Sequence, residues 1–247
     1  LVLLAENNQG YQNLMKIVST GFVEGFYYKP RVDKEVLRKY HEGIICTSAC
    51  LAGEVQKYIQ RGMYEEACRS AKEYEEIFGK GNFFLELQDH GLPEQKQVNQ
   101  ALLRMSRELG IELVATNDIH YTYAEDVKPH DILLCLQTGK RLSDEDRMRY
   151  EGGQYYVKSP EEMARLFPYA LQALENTQKI ADRCNVEIEF GVTKLPKYDV
   201  PEGYTSWEYL NKMCWDGFAE RYPDDDGHLK DQLTYELSII QKMGYVD

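Results

Sequence analysis

The segment VATNDIHYTYAED, residues 114–126, contains the transition that decides the fold. Its first residues end a mainly apolar run, residues 111–115, that is typical of a buried β-strand. The run stops at Asp118 and His120, which are spaced i, i+2 and are costly to bury without partners. A turn with a helix cap would explain this pair of residues, and so would the rim of a functional site.

Strands and helices alternate on the N-terminal side of this segment. Further strands are predicted at residues 1–5, 44–47 and 83–87, and the apolar residues between them recur at helical spacing. This alternation predicts an α/β fold with parallel strands, because a parallel neighbour needs a crossover connection. In such folds the functional residues lie at the carboxyl ends of the strands. Cys50, Asp118 and His120 all follow strand ends, so we expect them on one face.

Helices predominate after residue 126. Ser159, and Thr205 with Glu208, are typical N-terminal helix caps, and a final helix is predicted from about His228. Residues 186–190 alternate like a half-buried strand. Residues 191–203 hold two prolines and two glycines and are the best linker candidate. We therefore expect two domains, residues 1–190 and residues 191–247.

The composition excludes several classes of protein. The net charge of −12 over 247 residues argues against this segment as the main contact to nucleic acid. No apolar run approaches the ~20 residues of a membrane span, and no signal peptide precedes the first strand. The six cysteines form no CxxC pair. We expect a cytoplasmic piece of a longer chain, with free thiols and no membrane contact.

Three residues are candidates for a metal site. Side chains at i and i+2 of an extended segment share one side, so Asp118 and His120 would present an oxygen and a nitrogen donor together. Such donors suit a divalent metal. A Cys50 thiolate would favour zinc or a similarly soft ion, although an inert buried cysteine is the default interpretation of this residue.

Other polar residues have simpler interpretations. His90 follows the strand at residues 83–87 and is interpreted first as a polar loop residue and second as part of a site rim. Glu86 lies within that strand, and the sequence leaves its direction undecided. We interpret His41, His130 and His228 as structural and residues 224–226 as a solvated acidic loop. No nucleophile elbow, P-loop or dinucleotide-binding motif is present.

Five segments together resemble the alpha subunits of bacterial DNA polymerase III, the C-family of replicative polymerases. In order they are LVLLAENNQGYQNLMKIVS, GFYYKPRVDKE, TSACLAGEV, VATNDIHYTYAEDVKPHDILLCLQTGK and LPKYDVPEGYTSWEYL. The resemblance covers essentially all 247 residues. The segments are highly specific as a set, whereas a D-x-H pair alone would mean little.

The resemblance implies a PHP (polymerase and histidinol phosphatase) domain, a distorted (β/α)7 barrel with its N-terminal part missing here, followed by a mainly helical segment. Residues 1–190 resemble the later two-thirds of that domain. Residues 191–247 resemble a linker and the start of the polymerase core, at the entry to the palm.

The resemblance also implies a cluster of metal ligands at the strand ends of the PHP domain, and Cys50, Asp118 and His120 match that cluster. In the family the other ligands, including an H-x-H motif, precede the position of Leu1. The polymerase aspartates follow the position of Asp247. No residue of this chain is therefore assigned a catalytic role in polymerisation, and the chain alone is expected to be inactive.

For the parent protein, the resemblance implies a DNA-directed DNA polymerase, a nucleotidyltransferase. The implied cofactors are zinc or manganese in the PHP site and magnesium in the polymerase site. The implied partners are primer-template DNA, dNTPs, a sliding clamp and other replisome subunits. Three hypotheses stay open: a PHP site that proofreads as a 3′–5′ exonuclease, a PHP metal that only supports the fold, and a stand-alone PHP phosphoesterase. The stretch after residue 190 weighs against the third.

Overall fold

The structure, a computed structural model, describes residues 1–192, 194 and 196–246. It divides into two compact units, Leu1–Ile188 and Glu189–Asp247. The strands are β1 (Val2–Ala5), β2 (Ile44–Thr47), β3 (Phe83–Leu87) and β4 (Leu113–Ala115). The helices of the first unit are α1 (Asn8–Val23), α2 (Lys34–Lys39), α3 (Glu54–Gln60), α4 (Tyr64–Phe78), α5 (Pro93–Leu109), α6 (Val127–Thr138), α7 (Pro160–Leu166) and α8 (Leu171–Arg183). Those of the second are α9 (Ser206–Arg221) and α10 (His228–Met243).

The four strands form one sheet in the order β1-β2-β3-β4. β2 pairs with β3 in parallel, and β3 pairs with β4 in parallel. β1 pairs with β2 in the antiparallel sense, so the prediction of parallel pairing is wrong for this strand. The reason is the connection between the two strands. Helices α1 and α2 return the chain to the carboxyl end of β1, so β2 starts beside the last residue of β1 and runs in the opposite direction. There the Glu6 amide donates to the Gly43 carbonyl at 2.8 Å.

Both faces of the sheet are covered, which explains why the strands are nearly continuous apolar runs. On one face, Phe83 and Leu85 join a large core with residues of α3, α4 and α5. On the other face, Phe84 and Val114 pack with Ile180 of α8. The strand positions are therefore fixed from both sides by apolar burial.

The start of α1 lies unusually close to the residue that precedes β2. A Cβ on Gly10 would lie 1.8 Å from the Gly43 carbonyl oxygen, so only glycine fits there. Gly43 has a φ of +69°, a left-handed conformation that glycine adopts without strain. This contact between two glycines sets the distance between the start of α1 and the start of β2.

A substitution of Gly10 should therefore destabilise the fold. We expect Gly10→Ala to lower the free energy of unfolding by roughly 1–3 kcal/mol or more, because the methyl group meets backbone that cannot give way. The matched control is Gly21→Ala in the same helix, where the nearest atom to a Cβ is 3.4 Å away. The control should be neutral or stabilising by up to about 1 kcal/mol, through helix propensity. Urea unfolding of both variants measures the difference, and equal effects would contradict the close contact.

Two strand predictions need correction. The predicted strand at residues 186–190 is wrong: these residues have no strand pairing, and Ile188 is 56% exposed. The segment bonds instead to the start of α1, where the Glu187 amide donates to Asn8 Oδ1 at 2.9 Å. The predicted strand at residues 111–115 is shorter than expected, although the Glu112 carbonyl still accepts from the Leu85 amide at 2.9 Å.

The second unit is mainly helical in its described residues. Thr205 and Glu208 form the predicted capping box of α9. In the acidic loop before α10, the Asp225 carboxylate accepts from the amides of Gly227, Leu229 and Lys230, which makes it a helix cap. No helix in the described part of the chain is long and apolar enough to cross a membrane.

Candidate metal centre

Three parallel strands deliver their carboxyl ends to one edge of the sheet. Thr47 of β2 is paired with Phe84, and Leu87 of β3 is paired with Ala115 of β4. The loops that leave these ends contain Cys50, His90 and Asp118, respectively. The prediction that β2 and β4 run parallel and emerge at a common edge is thereby confirmed.

Asp118 and His120 lie side by side after β4. The His120 Nε2 atom is 3.5 Å from Asp118 Oδ1, and the side chains are 29% and 39% exposed, respectively. Two ligands bound tetrahedrally at about 2.0–2.2 Å from a zinc ion would lie roughly 3.4 Å apart, so this pair fits two positions of one metal. Asp118 has a φ of +38°, an uncommon conformation that aspartate tolerates. Strained residues of this kind cluster at functional sites.

Cys50 is half-buried and lines a small crevice with Glu86 and Gln88 at the same edge of the sheet. It is not gathered with Asp118 and His120 into a three-ligand group. Within the described residues, no three His, Cys, Asp or Glu side chains lie together in a way that could hold a metal ion. Cys50 and Asp118 nevertheless both lie near Tyr150 and affect the pKa of its hydroxyl. Burial raises the pKa of Tyr150, and the nearby Asp118 and Cys50 charges raise that pKa further.

His90 is a buried anchor of the loop that carries Asp118. The ring is 2% exposed, and its Nε2 lies 2.7 Å from the Asn117 carbonyl oxygen, to which it donates. The side-chain amide of Gln95 donates to Nδ1 at 2.8 Å, which fixes this tautomer. Burial lowers the pKa of His90. His90 therefore positions the peptide next to Asp118, a role closer to a site rim than to loop polarity.

The sequence of this chain is similar to those of known proteins. Residues 1–90 match the model of the PHP domain family. The DNA polymerase III alpha subunit of Borreliella burgdorferi is 44% identical over 247 residues, which is 99% of this chain and 21% of that relative. The subunit of Treponema pallidum is 43% identical over 100% of this chain and 21% of its own length. That of Deinococcus radiodurans is 41% identical, with 100% and 19% covered.

The chain is homologous to part of the DNA polymerase III alpha subunit. It spans about a fifth of the length of these curated relatives. The resemblance drawn from five sequence segments is therefore confirmed, and residues 1–90 are similar to a PHP domain. The mixed α/β fold agrees with that domain. The assignment of Cys50, Asp118 and His120 as ligands stays a prediction.

Sequence reasoning missed the aromatic surroundings of His120. The Tyr150 ring centroid lies 4.2 Å from that of His120, and the centroids of Tyr155 and His130 lie 5.6 Å and 5.8 Å away. Tyr155 also stacks on His90 at 4.1 Å. Tyr150 and Tyr155 come from segments without a periodic pattern, and His130 was interpreted as a structural residue of its helix. No signal in the sequence therefore indicates that these three rings surround His120.

The loop that carries Tyr150 is fixed by ionic and backbone contacts. The Arg147 side chain is 6% exposed, and its guanidinium makes two bonds to the Asp131 carboxylate of α6. The amide of His120 donates to the Tyr155 carbonyl at 2.9 Å. The loop at residues 139–158 therefore lies over one side of the Asp118–His120 pair, and restricts how the imidazole can rotate.

Proposed function

We propose that this chain is part of a DNA-directed DNA polymerase, the alpha subunit of a DNA polymerase III. Its first 190 residues would form most of a distorted PHP barrel, and the remainder would lead into the polymerase core. The similarity along the whole chain supports this proposal. A stand-alone PHP phosphoesterase is disfavoured because the polymerase relatives also match the residues after position 190.

The proposal extends to the site: Cys50, Asp118 and His120 would be metal ligands in the parent protein. The observation that carries this assignment is the 3.5 Å separation of the Asp118 oxygen and the His120 nitrogen at the common strand edge. A carboxylate, an imidazole and a thiolate suit zinc, and the first two also suit manganese. The remaining ligands would come from other segments of the parent.

The bound metals would lower the pKa of a water and neutralise charge on a phosphoester, which is the chemistry of a 3′–5′ exonuclease. The residues of this chain would prepare that site. His90 holds the Asn117 carbonyl, and with it the start of the Asp118 turn. Tyr150 packs against the His120 ring and limits its rotation. Asp118 and His120 would thereby keep their donor atoms on one side before any ion binds.

The other functions belong to the parent protein as a whole. Primer-template DNA and dNTPs would be its substrates, and a sliding clamp and other replisome subunits its partners. A separate site with magnesium ions would carry nucleotide addition. The acidic charge of the present segment agrees with the placement of the main DNA contact elsewhere in the parent.

Nucleotide release from the 3′ end of a primer by the full-length parent, without dNTPs, tests the proposed site. We expect release to stop after metal removal and to return when Zn²⁺ or Mn²⁺ is added back. Metal that binds and raises the melting temperature without any nucleotide release would show that the site only supports the fold. No metal binding at all would overturn the assignment of the ligands.

A further inference from the structure

Glu86 is a buried carboxylate in the middle of the apolar strand β3. It is 5% exposed, and its neighbours Leu85 and Leu87 are fully buried. Four donors bond to it. Oε2 accepts from the Thr47 hydroxyl and from the Ala49 amide, the latter at 3.1 Å. Oε1 accepts from the Thr116 hydroxyl and from the Gln88 side-chain amide, the latter at 2.9 Å.

Gln88 directly follows β3, and the other three donors come from the ends of the two strands that flank β3. Thr47 ends β2, and Ala49 directly precedes Cys50. Thr116 follows β4 and lies two residues before Asp118. One carboxylate therefore bonds at the same time to the turn that carries Cys50 and to the turn that carries Asp118 and His120.

The turn at Cys50 needs such a contact. Ala49 has a φ of +64°, a left-handed conformation that is unfavourable for a residue with a Cβ. Without Glu86 this half-buried amide would lose its partner at the end of the strand, and an amide shielded from water without a partner is costly. A carboxylate provides two oxygens that accept several bonds, which an apolar residue at this position of the strand could not do.

The surroundings of Glu86 point the same way. The Ser48 hydroxyl accepts from the Gln56 side-chain amide of α3 at 2.7 Å and from the Glu86 backbone amide at 2.9 Å, so the turn is bonded to both α3 and β3. Within the described residues, no Lys, Arg or His forms an ion pair with Glu86. Its partners are the strand ends and turns themselves, which is the pattern of a residue that orients ligands.

We propose that Glu86 is a positioning residue that holds the Cys50 turn and the Asp118–His120 turn in the relative placement required for a shared metal site. The inference rests on the proposed metal-binding function of those turns. Glu86 would not touch the metal. It would act through the Ala49 amide on one side and the Thr116 hydroxyl on the other.

The test is a titration of the metal-stripped full-length parent with Zn²⁺ alone, with thermal unfolding of the same samples. The Zn²⁺ bound by the wild-type protein but not by Asp118→Ala is taken as the Zn²⁺ in this site. We expect Glu86→Leu to weaken that binding by roughly 10-fold or more, in the range known for residues that orient ligands. Thr116→Val keeps the side-chain shape, removes one bond to Glu86, and should weaken binding by a smaller factor.

The matched control is Asn176→Leu. Asn176 is 5% exposed, and its side-chain amide donates to the Leu113 carbonyl at 2.8 Å, at the end of β4 away from the ligand turns. It should lower the melting temperature and leave Zn²⁺ affinity within about twofold of wild type, since an orienting role is specific to position.

The outcomes separate the two proposals. Two results would overturn the role of Glu86 alone. The first is wild-type Zn²⁺ affinity in both Glu86→Leu and Thr116→Val. The second is a loss of Zn²⁺ affinity in Asn176→Leu as large as in Glu86→Leu at a similar melting temperature. If Glu86→Leu does not fold, Thr116→Val decides. If Asp118→Ala binds as much Zn²⁺ as wild type, the proposed metal site itself is wrong.

Discussion

Asp118→Ala in the full-length parent should lower the rate of 3′ nucleotide release by roughly 100-fold or more. Changes to residues that merely orient metal ligands already cost 10–100-fold, and this change removes a proposed ligand itself. The His120 nitrogen would lose the oxygen donor that lies 3.5 Å away. Nucleotide addition by the same sample should stay close to wild type, because the polymerase site is proposed to lie in another segment. Both rates are measured on one labelled primer, with and without dNTPs.

The control for the loss of charge is Asp146→Ala. Asp146 has a fully exposed side chain and only a long contact of 3.8 Å to Lys140. Its variant should release nucleotides at the wild-type rate. If Asp118→Ala digests the primer as fast as Asp146→Ala, the exonuclease does not use this site.

His90→Ala should lower the free energy of unfolding of this chain by roughly 2–4 kcal/mol. The substitution leaves a cavity next to Tyr155, whose ring stacks on His90 at 4.1 Å. It also removes the partners of the partly buried Asn117 carbonyl and of the buried Gln95 side-chain amide. The loss of the Asn117 contact should loosen the Asp118 turn. Urea unfolding, followed by circular dichroism, measures the effect.

The matched control is His41→Ala. His41 is exposed, and its ring makes one contact, at 2.7 Å to the Arg38 carbonyl. A surface change of this kind should alter stability by less than about 0.5 kcal/mol. Equal effects of the two histidine variants would contradict the buried anchor described for His90.

The sheet was accessible to sequence reasoning because its strands are short apolar runs between clear turn signals. The parallel pairing of β2, β3 and β4 followed from the helices between them. The antiparallel β1 did not follow, because periodicity detects α1 but not the direction in which α1 and α2 return the chain. The strand predicted at residues 186–190 is wrong for a related reason. Alternation shows which residues could share a face, but not whether a neighbouring strand exists.

Helix α1 shows a second limit. Its apolar residues Tyr11, Met15 and Val18 are 37%, 43% and 50% exposed. The face that packs on the sheet carries Gly10, Asn13 and Ile17 instead. Close backbone contact at Gly10 accompanies the burial of Ile17 here, and hydrophobic periodicity cannot detect a face that begins with a glycine contact.

The site was only partly accessible. Asp118 and His120 could be named as a pair from their i, i+2 spacing, but the extended backbone assumed for them is wrong. Asp118 has a φ of +38°, so a turn brings the two side chains together. The roles of Glu86, His90 and Tyr150 depend on contacts across 27 to 39 positions of sequence, which a local pattern does not encode. A buried glutamate in an apolar strand was the one available signal, and its partners decided its meaning.

The central claim is that the turns after β2 and β4 bind divalent metal together. Anomalous scattering from crystals of the full-length parent loaded with Zn²⁺, collected at the zinc edge, locates the ion directly. The account predicts one zinc peak about 2.0–2.2 Å from an Asp118 oxygen and from the His120 nitrogen, and a zinc peak about 2.3 Å from the Cys50 sulfur in the same site. Zinc peaks elsewhere in the protein, with none within bonding distance of Asp118 and His120, would contradict it.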